Sequence, residues 1–428
     1  MQFNKFLIFC LSGLLATVKV QAASFQLIEQ SAYHLGSGCA GTAAEANDAS
    51  AAYFNSSALM FSKSDKMWAI SGIGIFPQSY LSLNSSQANR NLPNSQPLAI
   101  SKIRLKGNAF IPQIHYTQRI NEQFGFSLSL NSPFGLKTIY PSDSSARYMA
   151  TRSELITFNV SPSLAYKFNE WAAIGFGLDV LYAKAQLDVN TGFNIPDTDG
   201  YQKNQTDGVG LGGHFSYFIN IKDTRLGFNY RSPIRLKTQG KSESLSPRPV
   251  SNYTTQGLKE TITLPESVTF SVSQVLDEKW TVLGDFQWTQ WSRFKDLILK
   301  YGNGTESITH ENYKNTCRLA FGSLYQYNSN WIFKGGVAFD KSPAQNATRT
   351  ARIPDSDRTW VSMGLHYTIS SNLSLSLGIA HLFFKPVNIV EKSPVNPDGS
   401  PYGDSKARLS GRIRSNATIL GLQLNYKF

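Results

Sequence analysis

Side chains suited to acid–base or nucleophilic work are few and scattered. The six histidines, His34, His115, His214, His310, His366 and His381, fall in no motif that sets a base beside a nucleophile and an acid. No Gly-x-Ser-x-Gly occurs, and His310 beside Glu311 sits in a polar, loop-like stretch. Cys10 lies in an apolar N-terminal run, which leaves Cys39 and Cys317, too few for a disulfide framework or a thiolate metal site. The residue inventory argues against an enzyme, a metal centre or a cofactor. What remains is binding chemistry: apolar and aromatic surface with isolated cations.

Binding surface of that kind has to be held by strands. In Leu420 to Phe428 (LGLQLNYKF), Leu420, Leu422, Leu424, Tyr426 and Phe428 share one face, and Gly421, Gln423, Asn425 and Lys427 share the other. An alternating strand ending on an aromatic reads as the closing strand of an outer-membrane barrel. The same alternation places Phe158, Val160, Pro162, Leu164, Tyr166 and Phe168 opposite Asn159, Ser161, Ser163, Ala165 and Lys167. The apolar face is read as lipid-facing and the polar face as lumenal. By that parity Cys317 faces lipid with Leu319 and Phe321, so no bond to Cys39 is expected.

Residues 1–22 have the form of a signal peptide: Lys5, an apolar run from Phe6 to Val18, then Val20-Gln21-Ala22. No later stretch approaches the roughly 20 apolar residues of a spanning helix. An exported chain living in a membrane without such a helix must close its sheet, because open edges cannot face lipid. The net charge of +12 is spread along the chain, which suits anionic headgroups or an anionic ligand and gives no nucleic-acid footprint.

Short polar links, such as Asn121-Glu122-Gln123 and Ser370-Ser371-Asn372, alternate with long ones near 77–103, 135–151, 190–207, 238–258, 301–309, 342–356 and 391–411. That alternation is expected of short periplasmic turns and long outer loops, and it predicts about fourteen strands across 65–428. Residues 23–64, rich in Ala, Gly and Ser, fall outside the strand pattern. A lumen of this width is not filled by its own inward side chains, so they are expected to form a plug. The fold class is all-β: an antiparallel transmembrane barrel with an N-terminal hatch. A closed barrel needs no partner for its edges, so a monomer is expected.

Several segments together resemble the FadL-type family of outer-membrane transporters for long-chain fatty acids and other hydrophobic compounds. They are Phe25-Gln26-Leu27 with Glu29, Asn47-Asp48-Ala49-Ser50, Asn131 to Leu136 (NSPFGL), Leu264-Pro265-Glu266, Trp288 to Ser292 (WTQWS), Ala338 to Pro343 (AFDKSP), and Ile353 to Arg358 (IPDSDR) with Trp360. The resemblance implies a fourteen-stranded barrel with a hatch that includes Asn47, Asp48 and Asn55. It also implies a lumenal pocket touched by Phe25 and Leu27, and lateral release into the bilayer at a third-strand kink around Pro133, Phe134 and Gly135. Proline removes a ladder donor and glycine a side chain, so pairing weakens there whether the result is a gate or an ordinary bulge.

The chain also departs from the family pattern. The Asn-Pro-Ala hatch motif stands here as Asn55-Ser56-Ser57-Ala58, and two expected basic pocket positions align with Val189 and Thr309. Arg318, Lys334 and Arg358 are inward by parity and could replace them as head-group ligands beside Trp360; a structural role, with Arg318 paired to Asp340, is the alternative. If no cation meets the ligand, a neutral hydrocarbon fits better than a fatty acid. An open porin or a surface adhesin is the remaining alternative, and a plug argues against the pore.

Overall fold

A computed structural model describes residues 24–87, 102–191, 199–246, 251–392 and 408–428. The expected signal peptide lies outside the described residues. The strand segments begin with β1 Lys66–Gln87, β2 Lys102–Leu105, β3 Ala109–Arg119, β4 Phe124–Asn131, β5 Gly135–Ile139, β6 Arg152–Asn169 and β7 Ala172–Thr191. They continue as β8 Gly200–Ile221, β9 Thr224–Arg231, β10 Ile234–Leu245, β11 Tyr253–Leu264, β12 Ser267–Val275, β13 Trp280–Thr289 and β14 Asp296–Tyr301. The last are β15 Glu306–His310, β16 Thr316–Gln326, β17 Trp331–Asp340, β18 Arg358–Thr368, β19 Leu373–Phe384, β20 Val387–Lys392 and β21 Arg408–Lys427.

These segments make fourteen antiparallel crossings, because seven crossings are broken into two pieces. Four of the breaks carry a proline, at Pro133, Pro233, Pro265 and Pro386, where the missing N–H interrupts the ladder. β1 pairs with β21 on one side and with β3 on the other, so the sheet closes on itself. Closure pairs the first strand with the last, which is what a lipid-facing sheet requires, and leaves a local break in the ladder at the third crossing. Trp68 stacks near Tyr116, Trp280 near Tyr325 and Trp331 near Tyr367 at the short-turn end, as an aromatic girdle at a membrane interface.

The lipid parity holds through the middle of the wall. Ile156, Phe158 and Leu164 are exposed while Asn159, Ser161 and Ser163 are buried, and Leu420, Leu422 and Leu424 alternate with buried Gln423 and Asn425 in the same way. It inverts toward the long-loop end. There Leu181, Ala183 and Leu187 of β7, Leu236 of β10 and Leu297 and Leu299 of β14 face inward, while Lys184, Arg235, Lys237 and Lys300 face outward. The rule that polar means lumen is therefore corrected for this half. Beyond the hydrocarbon the outer surface meets water and charged headgroups, so the apolar residues line the inside. Several stretches whose composition reads as long links, including 200–207, 238–245, 253–258 and 306–309, are strand; their outward positions are mostly polar, so the lipid-facing pattern is missing from them.

Residues 24–64 pack inside the ring as short helices α1 (Ala32–Leu35) and α2 (Ala51–Phe54) with 3-10 turns at Thr42–Ala44 and Ser56–Phe61. Inward glycines of the wall seat this backbone. A Cβ on Gly336 would lie 2.1 Å from the Ser37 carbonyl oxygen, and one on Gly227 would lie 1.9 Å from that of Ala43.

Candidate functional site

The third crossing bends at Ser132-Pro133-Phe134, between β4 and β5. β3 pairs with β4 only over Ile114–Arg119, whereas β5 pairs with β6 on its far side. Across the gap, the pairing found among the described residues is a single bridge, Lys106 to Ile139, at the outer end. Between these limits the wall from 107 to 113 has no ladder to the kinked strand.

The hatch leader fills the place of that ladder. Leu27 N donates to the Pro133 carbonyl at 2.9 Å, and Gly135 N donates to the Phe25 carbonyl at 2.8 Å. Gln30 Nε2 donates to the Ser132 carbonyl, and Gln113 Nε2 to that of Glu29. Gly135 leaves room for the leader here: a Cβ would lie 2.9 Å from Leu27 Cδ1, which would have to shift. The Phe25 ring sits among Trp291, Phe294 and Phe134, with centroids 4.7, 5.5 and 6.2 Å away. These rings join the inverted apolar lining of β7, β10, β11 and β14 in one buried cluster.

A cavity of about 350 Å³ opens at the gap. Its walls include lumenal Leu382, Phe384 and Ile419 together with the lipid-facing Phe110 and Ile156, so it passes through the plane of the wall. Leu27, Phe134, Gly135 and Arg358 also line it.

The expected cations divide. Arg318 donates to the Gly38 and Cys39 carbonyls at 2.5 and 3.3 Å, reaching a left-handed turn of the hatch where φ is +68° at Gly38 and +51° at Cys39. Lys334 donates to the Tyr33 carbonyl at 3.0 Å. Arg358, not Arg318, pairs with Asp340, Nε to Oδ2 at 2.9 Å. Trp360 is buried, with the Arg318 guanidinium 5.3 Å from its ring centroid. Of the three cations, Arg358 therefore lines the cavity at the gap, while Arg318 and Lys334 bond the hatch.

The hatch residues hold the plug to itself and to the wall. Asp48 accepts from Ser50 N at 2.9 Å and from Gln423 Nε2 at 2.6 Å, while Gln423 Oε1 accepts from Ser31 Oγ at 2.8 Å. Asn47 Nδ2 donates to Glu45 at 3.1 Å. Asn55 accepts from Ser57 N at 3.1 Å and donates to the Ala43 and Tyr217 carbonyls. The Asn55 side chain thus caps the 3-10 turn that follows it.

Sequence reasoning missed Gln423 as a hatch ligand, and it missed the group around Asp179. There Asp179 accepts from Arg231 at 2.6 and 2.8 Å and from Asn159 at 2.8 Å, and lies 3.0 Å from His214 Nδ1. Arg231 in turn donates to the Tyr53 carbonyl of the hatch. All lie on inward-parity positions, which was the available signal; the partners come from four separate elements.

The family model described as outer membrane protein transport protein (OMPP1/FadL/TodX) matches residues 13–428. The chain belongs to this family. It is a protein of the bacterial outer membrane and a transporter rather than an enzyme. The long-chain fatty acid transport protein of Escherichia coli is 27% identical over 97% of this chain and 96% of its own length. Outer membrane protein P1 of Haemophilus influenzae is 28% identical over the full length of both. Among solved structures, a Pseudomonas aeruginosa FadL homologue has a TM-score of 0.84 at 22% identity, covering 95% of this transporter and 100% of that chain. The Pseudomonas putida toluene transporter TodX has a TM-score of 0.70 at 15% identity, covering 93% and 98%. Both share the fold of this transporter.

Proposed function

We propose that this transporter takes up hydrophobic molecules of the long-chain fatty acid type. They would enter the apolar outer half of the lumen, pass the Phe25 and Leu27 leader, and leave sideways into the bilayer at the Pro133-Phe134-Gly135 kink. The observation that carries this reading is the unladdered stretch of wall that the leader covers with two backbone hydrogen bonds. The two backbone bonds are a small part of the barrier, since each nets about 1 kcal/mol; lifting the leader must also draw the buried Phe25 ring away from Trp291 and Phe294. The energetics favour a lateral exit. A sixteen-carbon tail gains on the order of 10 kcal/mol in an apolar site, at about 0.8 kcal/mol per CH₂, and keeps that gain in lipid but forfeits it in periplasmic water. Ligand that bears on Phe25 moves the leader only if its affinity differs between the covered and uncovered states.

Uptake of neutral aromatic hydrocarbons by the same route is favoured by one observation: Arg318 and Lys334 bond hatch carbonyls, and Arg358 is paired with Asp340. Incubating the purified protein with palmitate and a panel of aromatic hydrocarbons, then identifying retained molecules by mass spectrometry, separates the two. Palmitate retained, and lost on Arg358→Ala, supports a fatty acid with its head at Arg358. Hydrocarbon retained without palmitate moves the substrate class, and retention of neither overturns the proposal.

A further inference from the structure

The lipid-facing surface beside the gap is not evenly filled. Register places Phe110 of β3 opposite Gly74 of β1, and Gly74 opposite Leu420 of β21. One step along, Gly72 lies opposite Leu422, and Leu422 opposite Leu377 of β19. Each row of outward side chains therefore loses its member at β1. Along β1 itself the outward positions run Ile70, Gly72, Gly74, Phe76, so the missing pair is closed at both ends by large apolar groups. The result is an apolar trough of about 680 Å³ that reaches Met363 on β18.

Two rings lean into the space the glycines leave. A Cβ on Gly72 would meet the Phe110 ring at 2.9 Å, and one on Gly74 would meet the Phe76 ring at 2.8 Å. Phe110 is 71% exposed, and it also lines the cavity that crosses the wall at the gap. One side chain is thus shared by the lateral opening and the trough. Exposed rotamers exchange within nanoseconds, so Phe110 can swing between the two without disturbing the ladder.

We propose that the trough is a docking slot for the alkyl chain of the departing transported ligand, entered from the gap past Phe110. The inference rests on lateral release and adds where the released chain first lies. The continuity through Phe110 argues for this occupant over an ordinary bilayer lipid: a slot serving bulk lipid needs no joint with the lumen. A chain lying there swaps one apolar contact for another, so the slot holds it loosely enough to give it up.

The test is photo-crosslinking in intact cells carrying the protein in their outer membrane, with a diazirine analogue of palmitic acid added to the medium and labelled peptides mapped by mass spectrometry. Labelling is expected at Phe110, Leu420 and Leu422 well above that at Leu178 and Leu211, lipid-facing residues on β7 and β8 away from the trough. Excess palmitate should suppress it. Gly74→Val, which fills the slot, should remove trough labelling and leave labelling at Leu27 and Phe134. Phe110→Ala, which cannot crowd the fold, should shift labelling along β1. Equal labelling of the trough and of Leu178 and Leu211 overturns the slot. So does trough labelling by a diazirine phospholipid that palmitate does not displace. Absence of labelling at Leu27 and Phe134 while the trough labels would defeat the lumenal route and with it the departing ligand as the occupant; the reverse pattern would defeat the slot alone.

Discussion

The carbonyl of Phe25 accepts the amide of Gly135 at 2.8 Å, so the first described turn of the hatch stands in for a missing strand neighbour in the barrel wall. Gly135 permits the approach, since any Cβ there would press on Leu27. Leader and wall are therefore one hydrogen-bonded unit at this point, and whatever moves the leader uncovers the gap.

Gln26 and Phe134 form an antiparallel bridge, which makes them a cross-strand pair that a disulfide can join. Gln26→Cys with Phe134→Cys, in a background with Cys39 and Cys317 replaced by serine, should lock the leader on the kink. Uptake of labelled palmitate by cells is expected to fall to background when oxidised and to recover with reductant. Full uptake in the oxidised state would rule out leader displacement.

The hatch core should be seated firmly, in contrast to its leader. Gly336→Val would drive a side chain into the Ser37 carbonyl, which backbone cannot yield cheaply. We expect the barrel to assemble with a displaced plug, seen as single-channel conductance in planar bilayers and as sensitivity of cells to vancomycin.

Asp179 holds Arg231, Asn159 and His214 together, and Arg231 holds the hatch through Tyr53. Asp179→Ala leaves the Arg231 guanidinium, whose side chain is 13% exposed, without its anion, a change of at most about 3–5 kcal/mol. A lower unfolding midpoint in urea, followed by the gel shift of the heat-denatured barrel, is the expected result. Arg231→Met in addition should recover part of the loss.

Asn55 caps the turn that follows it and serves two hatch and wall carbonyls. Asn55→Ala should lower stability by about 1–2 kcal/mol, chiefly through the lost cap. Faster hydrogen exchange at the amides of Ser57 and Ala58 would locate the effect.

In the outer loop between β17 and β18, burial pushes Asp355 up to about 7. A folded carboxyl with a raised value binds its proton more tightly than the unfolded chain does. Its stabilisation is therefore complete below the ordinary carboxylate range and is lost as pH rises through about 7. Protease resistance of this loop should fall between pH 5 and pH 9. Asp355→Asn, which cannot ionise, should flatten that dependence.

Much of this transporter is legible without coordinates. Alternation in segments such as 158–168 and 420–428 depends only on neighbours two apart, and links between strands announce themselves by local composition, so strand number, closure and the plug follow from the chain alone. The kink could be placed at Pro133 because proline removes its own donor wherever it stands. Tertiary structure decided the rest, because each remaining feature depends on register between distant segments. Parity turns Arg318, Lys334 and Arg358 inward alike; only the depth of each on its strand gives the first two to hatch carbonyls and the third to Asp340 and the gap. The apolar outer lumen was hidden because alternation names two faces without saying which meets lipid, and the answer reverses where the bilayer ends. The trough, likewise, is invisible in Gly72 and Gly74 until the ladder sets Phe110, Leu420 and Leu422 beside them.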